Sequence, residues 1–73
     1  MISMDEAYRA HAQTVYRYLF SLTHDAALSE ELTQDTFYQA VKSADRFDGS
    51  CQFTTWLCAI AKRLLLSYRR RRR

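Results

Sequence analysis

Hydrophobic residues recur at steps of three and four along most of the chain, in three stretches separated by two short polar breaks. This spacing is that of one face of an α-helix, whereas a half-buried strand would alternate at every second residue. The sequence contains one Gly and no Pro, so little in it interrupts a helix. We therefore predict an all-α fold, a compact three-helix bundle with room for one extra short helical turn.

The first predicted helix begins at Ser3, which has the spacing of a capping box with Glu6. It continues to about Leu22, before a break at residues 23–25. Its predicted core face consists of Tyr8, Ala12, Val15, Leu19 and Leu22.

The second predicted helix takes Asp25 as its N-cap and fades between Ser43 and Arg46. Its predicted core face consists of Leu32, Phe37, Ala40, Val41 and Ala44. A second stripe at helical spacing is polar, and it consists of Glu31, Gln34, Asp35, Tyr38 and Lys42. We expect this polar stripe to face outwards.

Residues 46–52 contain the only glycine and are predicted to form a loop, with Ser50 available to cap the next helix. The third predicted helix starts near Gln52 and continues into the terminal arginines. Its core face is predicted to consist of Phe53, Leu57, Ile60, Ala61, Leu64 and Tyr68. Another line, seven residues apart, consists of Trp56, Arg63 and Arg70. Such a line can meet bases and phosphates together.

Charge is distributed unevenly along the chain. Residues 62–73 hold seven of the eleven basic side chains and no acidic one, so residues 1–61 carry four basic against eight acidic groups, a net charge of −4. A basic end on an acidic body favours a polyanion at one edge of the molecule and a different partner at the acidic faces. A solvated arginine tail explains the charge alone equally well.

Cys51 and Cys58 are the only cysteines, and with His11 and His24 they form no zinc-type spacing. We expect no metal site, no cofactor, and a reduced cytoplasmic compartment. No apolar stretch reaches the roughly 18 residues that a membrane span requires. An enzyme is also disfavoured, since no nucleophile, base and orienting group cluster in the sequence.

Four short segments occur in a characteristic order: Glu30-Glu31-Leu32-Thr33-Gln34-Asp35-Thr36-Phe37, Asp45-Arg46-Phe47, Phe53-Thr54-Thr55-Trp56-Leu57 and Ile60-Ala61. In order and separation they resemble the second conserved region of the extracytoplasmic-function (ECF) sigma factors of bacterial RNA polymerase, within the sigma-70 family. The resemblance covers about Tyr8 to Arg70. It implies a sigma2-like helical domain over residues 1–70 and the start of a basic linker at 69–73. The relatives' C-terminal promoter-binding domain is absent, so we expect a domain fragment.

The resemblance implies two protein partners. In the family, the polar face of the second helix docks on the clamp coiled coil of the largest subunit of core RNA polymerase, and Gln34 and Asp35 stand at the contact positions, with Glu31 and Tyr38 beside them. An exposed carboxylate and amide can pair with arginines on a partner helix. Relatives are also commonly held inactive by an anti-sigma factor, which we expect to use the same surfaces.

The loop and third helix of the family read the promoter's minus-ten element, where a base of the non-template strand is flipped out. Aromatic stacking offsets part of the cost of flipping. By resemblance the DNA-binding residues are Phe47, Asp48, Ser50, Gln52, Phe53, Trp56, Lys62, Arg63 and Arg70. Phe53 also lies on the apolar stripe and is interpreted first as a core residue.

Two positions depart from the family pattern. Arg63 stands where most relatives carry asparagine, and Ala59 stands where they often carry arginine. A guanidinium cannot offer the paired donor and acceptor of an amide. The promoter sequence of the relatives is therefore not carried over to this chain.

Two other functions fit parts of the pattern. One is a trihelical module that reads duplex DNA through a major-groove helix, although the third helix offers few Asn or Gln side chains for base edges. The other is an interaction module whose basic amphipathic C-terminal helix lies on an anionic membrane or in a partner's groove.

Overall fold

A computed structural model of the chain describes residues 3–72 and contains three α-helices and one short 3₁₀ turn. The elements are α1 (Met4–Thr23), α2 (Ala26–Lys42), the 3₁₀ turn (Ala44–Arg46) and α3 (Phe53–Arg71). Each helix packs against the other two. The predicted all-α class, the three-helix bundle and the extra turn are confirmed. The predicted limits of 1–70 and 69–73 extend beyond the described residues at each end.

Side-chain caps fix where the first two helices begin. The Ser3 hydroxyl oxygen accepts a hydrogen bond from the Glu6 amide over 3.1 Å, and the Ser3 hydroxyl donates to the Glu6 carboxylate over 3.2 Å. The Asp25 carboxylate accepts from the Leu28 amide over 3.0 Å. The predicted starts at Ser3 and Asp25 are thus confirmed.

The predicted cap of the third helix is wrong. The N-cap of α3 is Gln52, whose side chain makes no capping hydrogen bond. Ser50 lies two residues earlier, and its amide donates to the Asp48 carboxylate over 2.9 Å, which closes a turn within the loop. Ser50 therefore shapes the loop and does not cap the helix.

The core lies along the line where the three helices meet. Its buried apolar residues are Ala7, Val15, Leu19, Leu32, Phe37, Ala40, Leu57, Ile60, Ala61 and Leu65. Ala12, Phe53 and Leu64 are half-buried and pack against it, and Tyr68 is half-buried. Most of the predicted core stripes therefore face inwards.

Four predicted core residues lie outside. Tyr8 and Leu22 on α1 and Val41 on α2 are exposed, and Ala44 is exposed in the 3₁₀ turn because α2 ends before it. Tyr8 lies near the start of α1 and Leu22 near its end, and Val41 lies one residue before the end of α2. Tyr8 instead packs its ring edge against Phe37, with ring centroids 5.0 Å apart.

The inner face of α2 also buries hydroxyl groups that the apolar pattern does not reveal. The Thr33 hydroxyl donates to the Ser29 carbonyl and the Thr36 hydroxyl to the Leu32 carbonyl, each over 2.7 Å. The Ser29 hydroxyl donates to the Asp25 carbonyl over 2.7 Å. Within residues 3–72 no buried side-chain polar atom lacks a hydrogen-bond partner. Because the bonds of Thr33 and Thr36 stay within the helix, α2 can bury these two groups without polar partners on α1 or α3. The Ser29 hydroxyl also lies 2.9 Å from the Thr23 hydroxyl at the end of α1.

Candidate functional site

The outer face of α2 is polar and open to solvent. The buried residues of α2 occupy its inner side, which leaves five predicted surface residues exposed: Glu31, Gln34, Asp35, Tyr38 and Lys42. The Tyr38 side chain is 63% exposed, and the Lys42 ammonium lies 5.1 Å from its ring centroid. We call these five residues the α2 outer face.

The acidic groups of α2 have no internal ion pair. Among residues 3–72, the one salt bridge joins Arg9 to Asp5 on α1, over 3.4 Å. The carboxylates of Glu30, Glu31 and Asp35 are therefore free to accept hydrogen bonds from cationic side chains of another molecule.

Val41 extends the α2 outer face with an apolar group that sequence reasoning placed in the core. It is 54% exposed, and it follows Glu31, Gln34 and Tyr38 at steps of three and four residues. That spacing in the sequence indicates that Val41 shares the face of these residues. The face therefore ends in an aromatic and an aliphatic side chain, a combination suited to anchoring a partner.

Three aromatic rings cluster where the loop meets α3. The ring centroids of Phe47 and Trp56 are 5.1 Å apart, those of Phe47 and Phe53 are 5.6 Å apart, and those of Phe53 and Trp56 are 5.7 Å apart. All three rings are half-buried, and Phe53 and Trp56 also pack against the core. Because all three side chains keep part of their surface accessible, the cluster offers aromatic surface on which a base could stack.

The loop presents polar groups beside this cluster. Asp48, Ser50 and Gln52 are all exposed between Phe47 and Phe53. The hydrogen bond from the Ser50 amide lowers the pKa of the Asp48 carboxyl below its ordinary value. Gly49 has a φ of 79°, a left-handed conformation that glycine adopts without strain, and it lets the loop turn here. A carboxylate, a hydroxyl and an amide thus lie next to an aromatic surface.

The basic side chains of α3 are not equivalent. Lys62, Arg63 and Arg70 are exposed. The Arg69 guanidinium donates a hydrogen bond to the Leu22 carbonyl over 3.0 Å. A groove of about 390 Å³ lies on this part of the helix, lined by Arg63, Leu66, Arg69 and Arg70.

The structure brings some predicted DNA-binding residues together and separates others. Phe47, Phe53 and Trp56 form one cluster, and Arg63 and Arg70 share the groove, which Lys62 does not line. Leu66, which sequence reasoning missed, is 47% exposed within the groove. In the sequence, Leu66 lies three residues after Arg63 and four before Arg70, and this spacing indicates that it shares their face of the helix.

The cysteines and acidic groups form no metal site. Among residues 3–72, no three His, Cys, Asp or Glu side chains come together in a group that could hold a metal ion. Cys51 is exposed and Cys58 half-buried, and both are free thiols. Burial raises the pKa of the Cys58 thiol. No helix in the described part of the chain has the length and apolar character needed to cross a membrane.

Comparison with known families identifies the family of this chain. Residues 7–73 match the family model described as sigma-70 region 2. The chain belongs to the sigma-70 region 2 family. The resemblance stated from the sequence is therefore confirmed, and the match includes the α2 outer face, the aromatic cluster and the basic part of α3.

Several curated relatives of this sigma-70 region 2 chain are named as sigma factors. The chain is 35% identical to RNA polymerase sigma factor YlaC of Bacillus subtilis, over 94% of this chain and 40% of that protein. It is 34% identical to ECF RNA polymerase sigma factor SigM of the same organism, over 96% of this chain and 42% of that protein. It is 38% identical to ECF RNA polymerase sigma factor SigE of Mycolicibacterium smegmatis, over 99% of this chain and 28% of that protein.

The sigma-70 region 2 chain thus spans between 28% and 42% of the length of these three relatives. No solved structure matches it significantly. The family assignment accordingly comes from the sequence comparisons, and the arrangement of its surfaces comes from the fold described above.

Proposed function

We propose that this domain binds core RNA polymerase and recognises the melted minus-ten element of a promoter during transcription initiation, and that it catalyses no reaction itself. The observation that supports this best is that residues 7–73, which match the family model, contain two chemically different surfaces. The α2 outer face offers carboxylates and Tyr38, with Val41 beside it, whereas the loop and α3 offer aromatic rings and guanidinium groups. One surface suits a basic protein partner, and the other suits a single nucleic-acid strand.

The α2 outer face is the proposed polymerase contact. Gln34 and Asp35 accept hydrogen bonds from basic side chains of the clamp coiled coil of the largest subunit, with Glu31 and Tyr38 at the border. Support comes from the exposure of all four residues and from carboxylates that no internal cation neutralises. Val41 adds an apolar contact, because its exposed methyl groups lose water on docking.

The aromatic cluster and the loop are the proposed site for a flipped base of the non-template strand. Trp56 or Phe47 stacks on the base, while the Asp48 carboxylate, the Ser50 hydroxyl and the Gln52 amide reach its edge. The lowered pKa keeps Asp48 ionised, so its carboxylate can only accept hydrogen bonds. A base with an exocyclic amino group, which means cytosine, adenine or guanine, would satisfy it.

Further parts of the proposal concern the longer protein. We expect an anti-sigma factor to cover one or both surfaces, a reduced cytoplasm as the compartment, and a sigma2-like unit ending near residue 70. Co-purification from a bacterial extract tests the partners. Recovery of polymerase subunits or of a small inhibitor supports the proposal, and recovery of neither contradicts it.

The polymerase contact is tested with Asp35→Ala against an isolated clamp coiled coil. Loss of a charge-assisted hydrogen bond is worth about 1.5–3 kcal/mol, so the affinity should fall about tenfold or more. Asp45→Ala is the matched control, since Asp45 is also exposed but belongs to the 3₁₀ turn. Both variants should melt like the parent. Equal affinities of the two variants would exclude the α2 outer face.

Base capture is tested by titrating labelled single-stranded oligonucleotides, with each base permuted at one position, against the matched duplex. The parent should prefer one base, and Ser50→Ala or Gln52→Ala should change that preference, because edge contacts carry the sequence information. Trp56→Ala should weaken the binding free energy for the single strand by ~1–3 kcal/mol. It should leave the salt dependence of the affinity largely unchanged, since stacking releases no condensed counterions. A preference for duplex would contradict this part of the proposal.

A further inference from the structure

The groove on the C-terminal half of α3 has a floor and rim of different chemistry. Leu66 provides an exposed aliphatic side chain, and guanidinium groups from Arg63, Arg69 and Arg70 surround it. No acidic residue lines the groove. With a volume of about 390 Å³, it is comparable to the smaller sites that hold low-molecular-weight ligands, of roughly 300–1,000 Å³. Its charge selects an anion, and its floor suits an apolar group attached to that anion.

The three arginines of the groove are held differently. Arg69 uses its Nη2 group on the Leu22 carbonyl of α1, over 3.0 Å. Arg70 makes one long contact, 3.4 Å from its Nη2 to the Ser67 hydroxyl, within its own helix. Neither Arg63 nor Arg70 is in a salt bridge with a described residue. Arg63 and Arg70 therefore keep donors for a ligand, and Arg69 fixes this end of α3 against α1.

We propose that this groove holds one phosphodiester of the captured DNA strand, with Arg63 and Arg70 as its donors, Leu66 beneath the adjoining sugar and Arg69 as a positioning residue. This inference rests on the proposed function and assigns it a defined phosphate site. Each guanidinium can donate two parallel hydrogen bonds to phosphate oxygens, so a phosphate between Arg63 and Arg70 can be held from both sides. Unspecific attraction of DNA to the terminal arginines, by contrast, would not require a groove.

The helix geometry sets where along the strand this phosphate lies. Arg63 follows Trp56 by seven residues, and Arg70 follows it by fourteen. At 1.5 Å per residue these positions lie about 10 Å and about 21 Å from Trp56 along the axis. We place the DNA strand parallel to α3, with the bases next to the flipped one still stacked. Phosphates of such a strand are about 3.4 Å apart along the DNA axis, so the groove lies roughly three to six nucleotides from the base at Trp56.

A scan with single methylphosphonate linkages tests this placement. Each oligonucleotide carries the preferred base and one neutral linkage, moved stepwise along the strand, and its affinity for the chain is measured at constant salt. The parent should lose about fivefold to tenfold in affinity at one or two adjacent linkages, roughly three to six nucleotides from the preferred base, and little elsewhere.

Variants connect that loss to the groove. Arg63→Ala and Arg70→Ala should each weaken binding and abolish the sensitivity at those linkages. Arg71→Ala removes the same charge from an exposed residue outside the groove, so it should keep the sensitivity. Arg69→Ala should spread the sensitivity over more linkages, and Arg69→Lys should restore a single maximum because it returns a donor to the Leu22 carbonyl. A role of Arg69 in stability alone would not move the maximum.

Two further results separate the possible failures. Leu66→Glu places a carboxylate at an exposed position of the groove, and it should remove the sensitivity while the circular dichroism melt stays that of the parent. If the parent shows a base preference but equal losses at every linkage, the groove assignment is wrong and base capture stands. If the parent prefers duplex or binds no single strand, the proposed function is wrong, and the groove assignment falls with it.

Discussion

The guanidinium of Arg69 donates a hydrogen bond to the backbone carbonyl of Leu22, 47 positions earlier in the chain, over 3.0 Å. Leu22 belongs to the last turn of α1, where carbonyls have no partner within the helix. That turn contains no basic residue of its own. Arg69 therefore supplies the cation that the negative end of the α1 dipole lacks.

Arg69→Ala should lower the free energy of unfolding by about 1 kcal/mol, because it leaves that carbonyl to water and removes a favourable charge. For a domain of this size the melting temperature should fall by about 4–8 °C. Thermal melts followed by circular dichroism measure the change. Arg71→Ala removes the same charge two residues further along α3 and should have the melting temperature of the parent. An equal fall in melting temperature in both variants would contradict a specific role for Arg69.

Leu57 and Trp56 are neighbours with opposite expected roles. Leu57 is fully buried, so Leu57→Ala should lower the free energy of unfolding by about 2–5 kcal/mol, a large share of the stability of a domain with so small a core. Leu57→Met, which keeps the volume, should cost under about 1.5 kcal/mol. Trp56 is half-buried, so Trp56→Ala should cost less stability than Leu57→Ala. Urea unfolding of the three variants gives the order, and a larger loss for Trp56→Ala would place Trp56 in the core.

The turn formed by Asp48 and Ser50 should depend on pH in one direction. The pKa of Asp48 is lowered in the fold, first by the Ser50 amide hydrogen bond, so the turn is fully stabilised above the ordinary pKa of aspartate. That stabilisation is lost as the pH falls through the lowered value. The amide resonance of Ser50 should therefore move only in acid, while Asp48→Asn, which keeps an acceptor oxygen without a titrating group, should remove that transition. A Ser50 resonance that moves near neutral pH would contradict the contact.

The two thiols should differ in reactivity. Cys51 is exposed in the loop, whereas burial raises the pKa of the Cys58 thiol and reduces its thiolate fraction at neutral pH. A chromogenic disulfide reagent should thus label Cys58→Ser, which retains Cys51, faster than Cys51→Ser. Raising the pH should narrow the difference, since both thiols then ionise. Equal rates at neutral pH would mean that Cys58 is open to solvent.

Helix number, helix starts and the outer position of Asp35 follow from local rules, because caps and a repeat of three and four residues act within one helix. The exposure of Val41 and the burial of Thr36 do not follow from them. Both depend on how α2 is rotated against its neighbours, which is decided by packing with α1 and α3. The contact between Arg69 and Leu22 is likewise tertiary, so the sequence indicated a basic end but not which arginine is held by the fold.

The hydroxyls of Thr33 and Thr36 bond to carbonyls of α2 itself, whereas Ser29, near the start of the helix, also lies 2.9 Å from the Thr23 hydroxyl at the end of α1. A displacement of the C-terminal part of α2 leaves the bonds of both threonines intact, since donor and acceptor travel together. Among residues 3–72, the contact between Thr23 and Ser29 is the one side-chain hydrogen bond that joins α2 to another helix. A hydrogen bond therefore joins α2 to α1 near Ser29, while apolar packing, including that of Phe37 and Ala40, holds its C-terminal half in the bundle.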